Sequence, residues 1–287
     1  MTTNWTQSNE TYNSCSTLCV TPTGRIIADN SKGSFVKGIW YSDDNGINWT
    51  QSNETDKSWS SLCVTPTGRI IAGSIGKGIW YSDDNGINWT QSNETDKSWH
   101  SLCVTPTGRI LATMEGIWYS DDNGINWAQS NKARISWSSL CVTPTGRIIA
   151  GSNGAGIWYS DDNGINWTQS NKTNGGWSSL CVTPNRIVFA ASSTYHIDSN
   201  NNGIWYSVDN GINWAQLNET DDKVWYPLCV TPTGRVITSN SNYNSSIGIW
   251  YFDPEYTAVC TKYLDQNGAQ EIVTQFKVYC DSLVGGV

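Results

Sequence analysis

The chain has 287 residues, of which 38% are hydrophobic and only 15% charged, with a net charge of −8. That balance is too uncharged for a disordered chain, too polar for one embedded in a membrane, and of the wrong sign for a nucleic-acid binder. With 17 Trp and 13 Tyr against 4 Phe, and Asn, Ser, Thr and Gly prominent in the rest, the composition reads as β-sheet with many turns.

The first element, N-W-T-Q-S-N-E-T from Asn4, is a strand with nothing like its usual companions before it. A four-strand unit then recurs. S-L-C-V-T ends in a P-T-G turn, R-I-I-A in a variable loop, G-I-W-Y-S in D-D-N-G, and I-N-W-T-Q in a polar loop. The phrase G-I-W-Y begins at Gly38, Gly78, Gly116, Gly156, Gly203 and Gly248, and residues 38–59 and 78–99 are identical. Four short strands in ~40 residues is the period of a propeller blade. The last unit lacks its fourth strand, so the N-terminal strand is expected to complete it. The expected fold is all-β: a six-bladed propeller of four-stranded blades over residues 1–252. Residues 253–287 are expected to be a separate segment, with a helix whose stripe is Ile272, Phe276, Tyr279 and Leu283.

Six of the 9 cysteines stand in the L-C-V phrase, at Cys19, Cys63, Cys103, Cys141, Cys181 and Cys229. An odd set with no C-x-x-C pair predicts buried thiols rather than disulfides or a metal site. No metal and no cofactor is expected. The polar N-terminus does not read as a signal peptide and no run reaches the ~18 apolar residues of a spanning helix, so synthesis in the cytoplasm without membrane insertion is expected.

The turn S-D-D-N-G-I-N-W at 42–49 recurs at 82–89, 120–127 and 160–167, and as S-V-D-N-G-I-N-W at 207–214. It resembles the Asp-box, or BNR repeat, of sialidase-like propellers. The resemblance implies that Asp44, Asp84, Asp122, Asp162 and Asp209 serve the turn, and that these turns lie away from the ligand face. By strand parity Arg25, Arg69, Arg109, Arg147, Arg186 and Arg235 share the Asp-box face, where repeated Arg–Asp pairing is expected. A sialidase-like enzyme would need three converging arginines, a Tyr–Glu pair and an Asp acid/base. An arginine repeated in six units is no specific triad, Glu115, Asp198 and Asp222 are scattered, and the chain reads as non-catalytic.

The loops on the opposite face vary strongly between units, which points to a scaffold presenting binding loops. The candidate ligand-binding residues there are Arg134, Tyr195, His196, Tyr226 and Tyr243, with Trp59, Trp99, Trp137, Trp177 and Trp225 at the start of each first strand. Those tryptophans either stack on sugar rings or pack between blades, and the sequence leaves both open. The expected function is recognition of a cell-surface glycan or protein. The alternative is a structural subunit that binds only its neighbours, and a sialidase-like glycosidase is a distant third. Residues 263–277 resemble short junctions in phage tail-fibre proteins, which implies a virion or extracellular surface and contacts with other virion or filament subunits through the C-terminal helix.

Overall fold

The computed structural model describes residues 17–30, 38–54, 57–94, 96–192, 202–217, 224–242, 245–252, 254–264 and 270–279. The first sheet is an antiparallel meander of β1 (Leu18–Val20), β2 (Ile26–Asn30), β3 (Gly38–Ser42) and β4 (Thr50–Gln51). The second repeats it with β5 (Trp59–Val64), β6 (Ile70–Ser74), β7 (Gly78–Ser82) and β8 (Thr90–Gln91). A six-stranded sheet follows, made of β9 (Ser101–Val104), β10 (Ile110–Ser120), β11 (Ala128–Val142), β12 (Ile148–Ser152), β13 (Ile157–Ser160) and β14 (Thr168–Gln169). Then come the four strands β15 (Trp177–Val182), β16 (Val188–Ser192), β17 (Ile204–Ser207) and β18 (Ala215–Gln216). A three-stranded sheet, β19 (Val224–Val230), β20 (Val236–Asn242) and β21 (Ser245–Phe252), precedes the hairpin of β22 (Glu255–Leu264) and β23 (Gln270–Tyr279).

The fold is an all-β propeller arrangement, but the expectation of six four-stranded blades is corrected. Among the described residues there are four blades, three with four strands and one with six. The six-stranded blade carries two sequence repeats, because the segments linking them continue as strand. Thr113–Glu115 replaces a Gly-rich loop, so β10 runs straight through, and Glu115 pairs with Ser136 and Gly116 with Ala133 on β11. In the sheet of β19–β21, Pro254 stands where the other repeats have the box aspartate, and the chain passes into β22 instead of a fourth strand. Residues 1–11, expected to supply that strand, lie outside the described residues.

The expected C-terminal helix is also corrected. Residues 270–279 form a strand, in register with β22 from Glu255↔Tyr279 to Leu264↔Gln270. The β-branched residues Thr257, Val259, Thr261, Ile272, Val273, Thr274 and Val278 suit a strand better than a helix. The apolar stripe gave a helical period without helical propensity. The partner contacts assigned to that helix lose their basis with it.

The core lies between successive repeats, in five clusters, one of them between the two repeats of the six-stranded sheet. In one, Ile27 and Ile39 of the first sheet meet Trp59, Leu62, Ile70, Ala72 and Trp89 of the second. The second strand of a unit is sandwiched on both sides, so β6, β12 and β16 are buried along their whole length. That explains their runs of Ile, Val, Ala and Phe with no polar alternation. The innermost strands are also tied to one another. The Leu62 amide donates to Thr17 Oγ1 (3.2 Å), Leu102 to Ser61 (3.0 Å), Leu140 to Ser101 (3.2 Å), Leu180 to Ser139 (3.0 Å) and Leu228 to Ser179 (2.9 Å).

Candidate binding face

The turn between third and fourth strands is held by its own side chains. Ser82 Oγ donates to Asp84 Oδ1 (2.9 Å) and accepts the Gly86 amide (2.9 Å). Asp84 also accepts the backbone amide of Asn88 at Oδ1 (2.8 Å) and the Asn88 side chain at Oδ2 (2.6 Å). Trp89 Nε1 closes the turn on Gly86 O at 3.2 Å. Asn85 and Gly86 both take positive φ, 64° and 88°, which is why the order Asn-Gly is needed there. The same bonds recur around Asp44, Asp122, Asp162 and Asp209. They hold all five carboxyls below the usual carboxylate range. At Asp44 the Asn48 amide is the leading cause; at Asp84, Asp122, Asp162 and Asp209 burial opposes the shift and the hydrogen bonds outweigh it.

The arginines bind the residue before the box aspartate. Arg25, Arg69, Arg109 and Arg147 each hold Asp43, Asp83, Asp121 or Asp161 through Nε at 2.6 Å. A second nitrogen makes each pair bidentate. The third reaches a box carbonyl in the next repeat, Asn85, Asn123, Asn163 or Asn210, at 2.9–3.3 Å. The guanidinium also lies over Tyr41, Tyr81, Tyr119 or Tyr159 of its own unit, 4.3–4.6 Å from the ring centre. Arg186 does not join this ring. In the shortened T-P-N-R turn it takes the glycine's place, with φ +68°. This face is therefore built as a clasp between repeats.

The axial mouth on the same side is a cavity of about 570 Å³ with an apolar rim of Val20, Pro22, Val64, Pro66, Val104, Pro106, Val142 and Pro144. The thiols stand one residue before each rim valine. Burial pushes Cys19 and Cys103 up to about 12, and raises Cys63, Cys141 and Cys181 as well.

On the variable-loop side the structure decides the open question about the tryptophans. Trp59, Trp99, Trp137, Trp177 and Trp225 are 0–1% exposed and fill the space between repeats. Trp99 sits 6.0 Å edge-on from Trp118 and 5.8 Å from Trp127. Buried in this way, they offer no ring face to a sugar, and their place in a ligand site is corrected. Arg134 lies in β11 and Tyr226 in β19, while Tyr195, His196 and Tyr243 lie outside the described residues.

The sequence reading missed a cavity of about 690 Å³ lined by Lys97, Ser98, His100, Met114, Glu115, Ile135 and Ser136. It opens where the six-stranded blade breaks the repeat, between the β8–β9 connection, β10 and β11. The His100 amide donates to Thr113 O (2.9 Å) and the Ser101 amide to Thr113 Oγ1 (3.1 Å), which fixes that wall. Lys97 is held by Glu94 at 2.6 Å and lies 3.7 Å from the Trp118 ring centre. Met114 and Ile135 offer apolar surface, and Ser98, His100, Glu115 and Ser136 offer donors and acceptors. Such a lining can hold a polar ligand with one apolar face. The signal in the sequence was length: T-M-E is the shortest of the second-to-third loops. Among the described residues no group of three His, Cys, Asp or Glu side chains is placed to hold a metal ion.

The BNR/Asp-box repeat model matches residues 40–51, 80–91, 118–129 and 158–169. The turn at 207–214 lies outside those matches yet makes the same hydrogen bonds. No curated protein sequence matches the chain. Among solved structures, virginiamycin B lyase from Staphylococcus aureus, as a catalytically inactive form with quinupristin, is similar at TM-score 0.62 and 12% identity. That match covers 85% of this chain and 92% of that one. The GH74 enzyme of Niastella koreensis is similar at TM-score 0.65 and 14% identity, over 92% of this chain and 51% of that one. YCF48 bound to D1 peptide is similar at TM-score 0.63 and 15% identity, over 85% and 79%. At such identities the likeness is one of fold. The chain carries BNR/Asp-box repeats on a β-propeller arrangement.

Proposed function

We propose that the chain is a non-enzymatic recognition module that binds a cell-surface glycan or protein on its variable-loop face. The observation that carries this reading is the division of labour between the two sides. The Asp-box side spends its charged groups on bonds within and between repeats. The loop side has a cavity where the repeat is broken, with His100, Glu115, Ser98 and Ser136 beside Met114 and Ile135. An asymmetric ligand needs an asymmetric site, and near-identical repeats provide one only where they differ. The lyase and the GH74 enzyme named for the similar folds lend their activities to no other chain, since fold alone does not carry function.

The test is binding of the labelled full chain to a glycan array and to whole cells, with His100→Ala and Glu115→Ala beside the parent. Loss of binding at an unchanged melting temperature is the expected result. Variants that fold and bind as the parent does would remove this cavity from the reading. Turnover of a glycoside by the parent, lost in Glu115→Ala, would replace it with an enzymatic one.

A further inference from the structure

The repeats stack through one joint, used five times, in which one side of a unit meets the opposite side of the next. Among the described residues two half-joints are left over. On the first sheet Leu18 and Val20 are 60% and 62% exposed, whereas Leu62, Leu102, Leu140, Leu180 and Leu228 are 7–8% exposed. The box glycine of that sheet shows the same opening. A Cβ added at Gly86 would stand 2.7 Å from Cδ1 of Ile27 in the preceding unit, and one at Gly124 2.8 Å from Ile71. At Gly46 it would meet only its own unit, Trp49 and Ile26, at 3.7 and 3.8 Å. On the sheet of β19–β21 the complementary side is uncovered. Tyr251 is 37% exposed and Cys229 is exposed, while Tyr41, Tyr81, Tyr119, Tyr159, Tyr206 and the other L-C-V thiols are half-buried.

We propose that these half-joints bind each other between two copies of this chain, head to tail. The Leu18–Val20–Gly46 side of one copy receives the Cys229–Ile237–Tyr251 side of the next. Complementarity argues for a second copy: each uncovered side has its counterpart on the same chain, in a packing the chain already builds five times. A small ligand or an unrelated partner would cover one side and leave the other in water. The clasp residues are in place as well. Arg235 lies 4.3 Å from the Tyr251 ring centre, as Arg25 does from Tyr41, and Asn45 has the φ of Asn85, whose carbonyl Arg25 binds. One bond of the interior joints is missing. Pro227 occupies the position of Thr17, Ser61, Ser101, Ser139 and Ser179, so no hydroxyl is there to accept the Leu18 amide. This joint is thus the most easily parted of the six. A head-to-tail contact is heterologous, and it gives a closed ring or an open filament according to its rotation.

The test is sedimentation velocity of the full chain at rising concentration, with Leu18→Glu and Cys229→Glu, both at exposed positions. The parent is expected to gain mass with concentration and each variant alone to remain a monomer. The two variants mixed retain one intact joint between them and are expected to stop at a dimer. A parent that stays monomeric throughout overturns the proposal, as do variants that assemble like the parent. A third outcome also overturns it: a monomeric parent whose melting temperature falls in Leu18→Glu, since the half-joints would then close within one chain. None of these outcomes depends on the ligand cavity.

Discussion

Ile187 stands where the other repeats place their arginine, and Val208 stands where they place the aspartate that arginine binds. The Thr183 amide bonds Ile187 O at 2.9 Å just as the Thr21 amide bonds Arg25 O, and Val208 precedes Asp209 as Asp43 precedes Asp44. The two positions have changed together. The guanidinium end of each surviving pair is 13–17% exposed and the carboxylate 58–61%. An arginine stripped of its partner keeps a largely covered charge with one fewer counter-ion, whereas two apolar residues leave none.

A double-mutant cycle on Arg109→Ile and Asp121→Val follows from that pair. Arg109→Ile alone, and Asp121→Val alone, should each lower stability. The double variant should lose less than their sum, with a coupling of about 0.5–1 kcal/mol, small because Asp121 faces water. Additive losses in urea unfolding would show that Ile187 and Val208 are independent changes.

The box aspartates set the acid limit of the fold. Asp84→Ala strands the Asn88 and Ile87 amides and should cost about 1–3 kcal/mol. The five box carboxyls have folded pKa values below their unfolded ones, so their contribution is present above the unfolded value. It is lost as pH falls through the folded value. The melting temperature should be level above about pH 5 and drop below about pH 4, where free carboxylates titrate. A melting temperature that keeps rising below that point would contradict this assignment.

Trp99→Ala removes a side chain with no exposed surface, wedged against Trp118 and Trp127. The expected cost is about 3–5 kcal/mol. Unchanged thermal unfolding with altered ligand binding would return Trp99 to the binding face.

The axial thiols should resist alkylation while the chain is folded. Burial raises Cys19, Cys63, Cys103, Cys141 and Cys181, so little thiolate exists at about pH 8, near a free thiol's own value. Iodoacetamide on the dilute, monomeric chain, followed by peptide mass mapping, should find Cys229 modified first among the six, because it alone of them is exposed, and all six modified in urea. Prompt labelling of Cys63 in the native chain would show that the axis is open to solvent.

The strand order within a unit was legible because Gly, Pro and Asn-Gly punctuate every turn at fixed spacing. The box chemistry was legible for the same reason, since Ser42, Asp44, Gly46 and Trp49 act within eight residues of one another. What lay between units was harder to read. The choice between Asp43 and Asp44 as the arginine's partner depends on which way adjacent residues of a turn face, and spacing does not give that. The six-stranded blade depends on Glu115 pairing with Ser136 across a bulge, a tertiary fact in a segment whose composition looks like loop. In the tail, Ile272, Phe276 and Tyr279 mimic a helical stripe. The β-branched residues of 257–261 and 272–278 were the better signal, and those two runs pair as β22 and β23.

The identity of residues 38–59 and 78–99 has a consequence during folding. The two identical stretches present the same side to their neighbours, so an early contact can join a unit to the wrong one of the pair. Between the repeats with the same joint residues, order rests on the length of the connecting loops, which must be short enough to penalise a skipped unit. Register errors of a whole blade are then the natural kinetic trap, and they can form between chains as readily as within one. Dilution should speed recovery of the native fold from urea, and a refolding yield that does not change with concentration would mean that the loops alone keep the units in order.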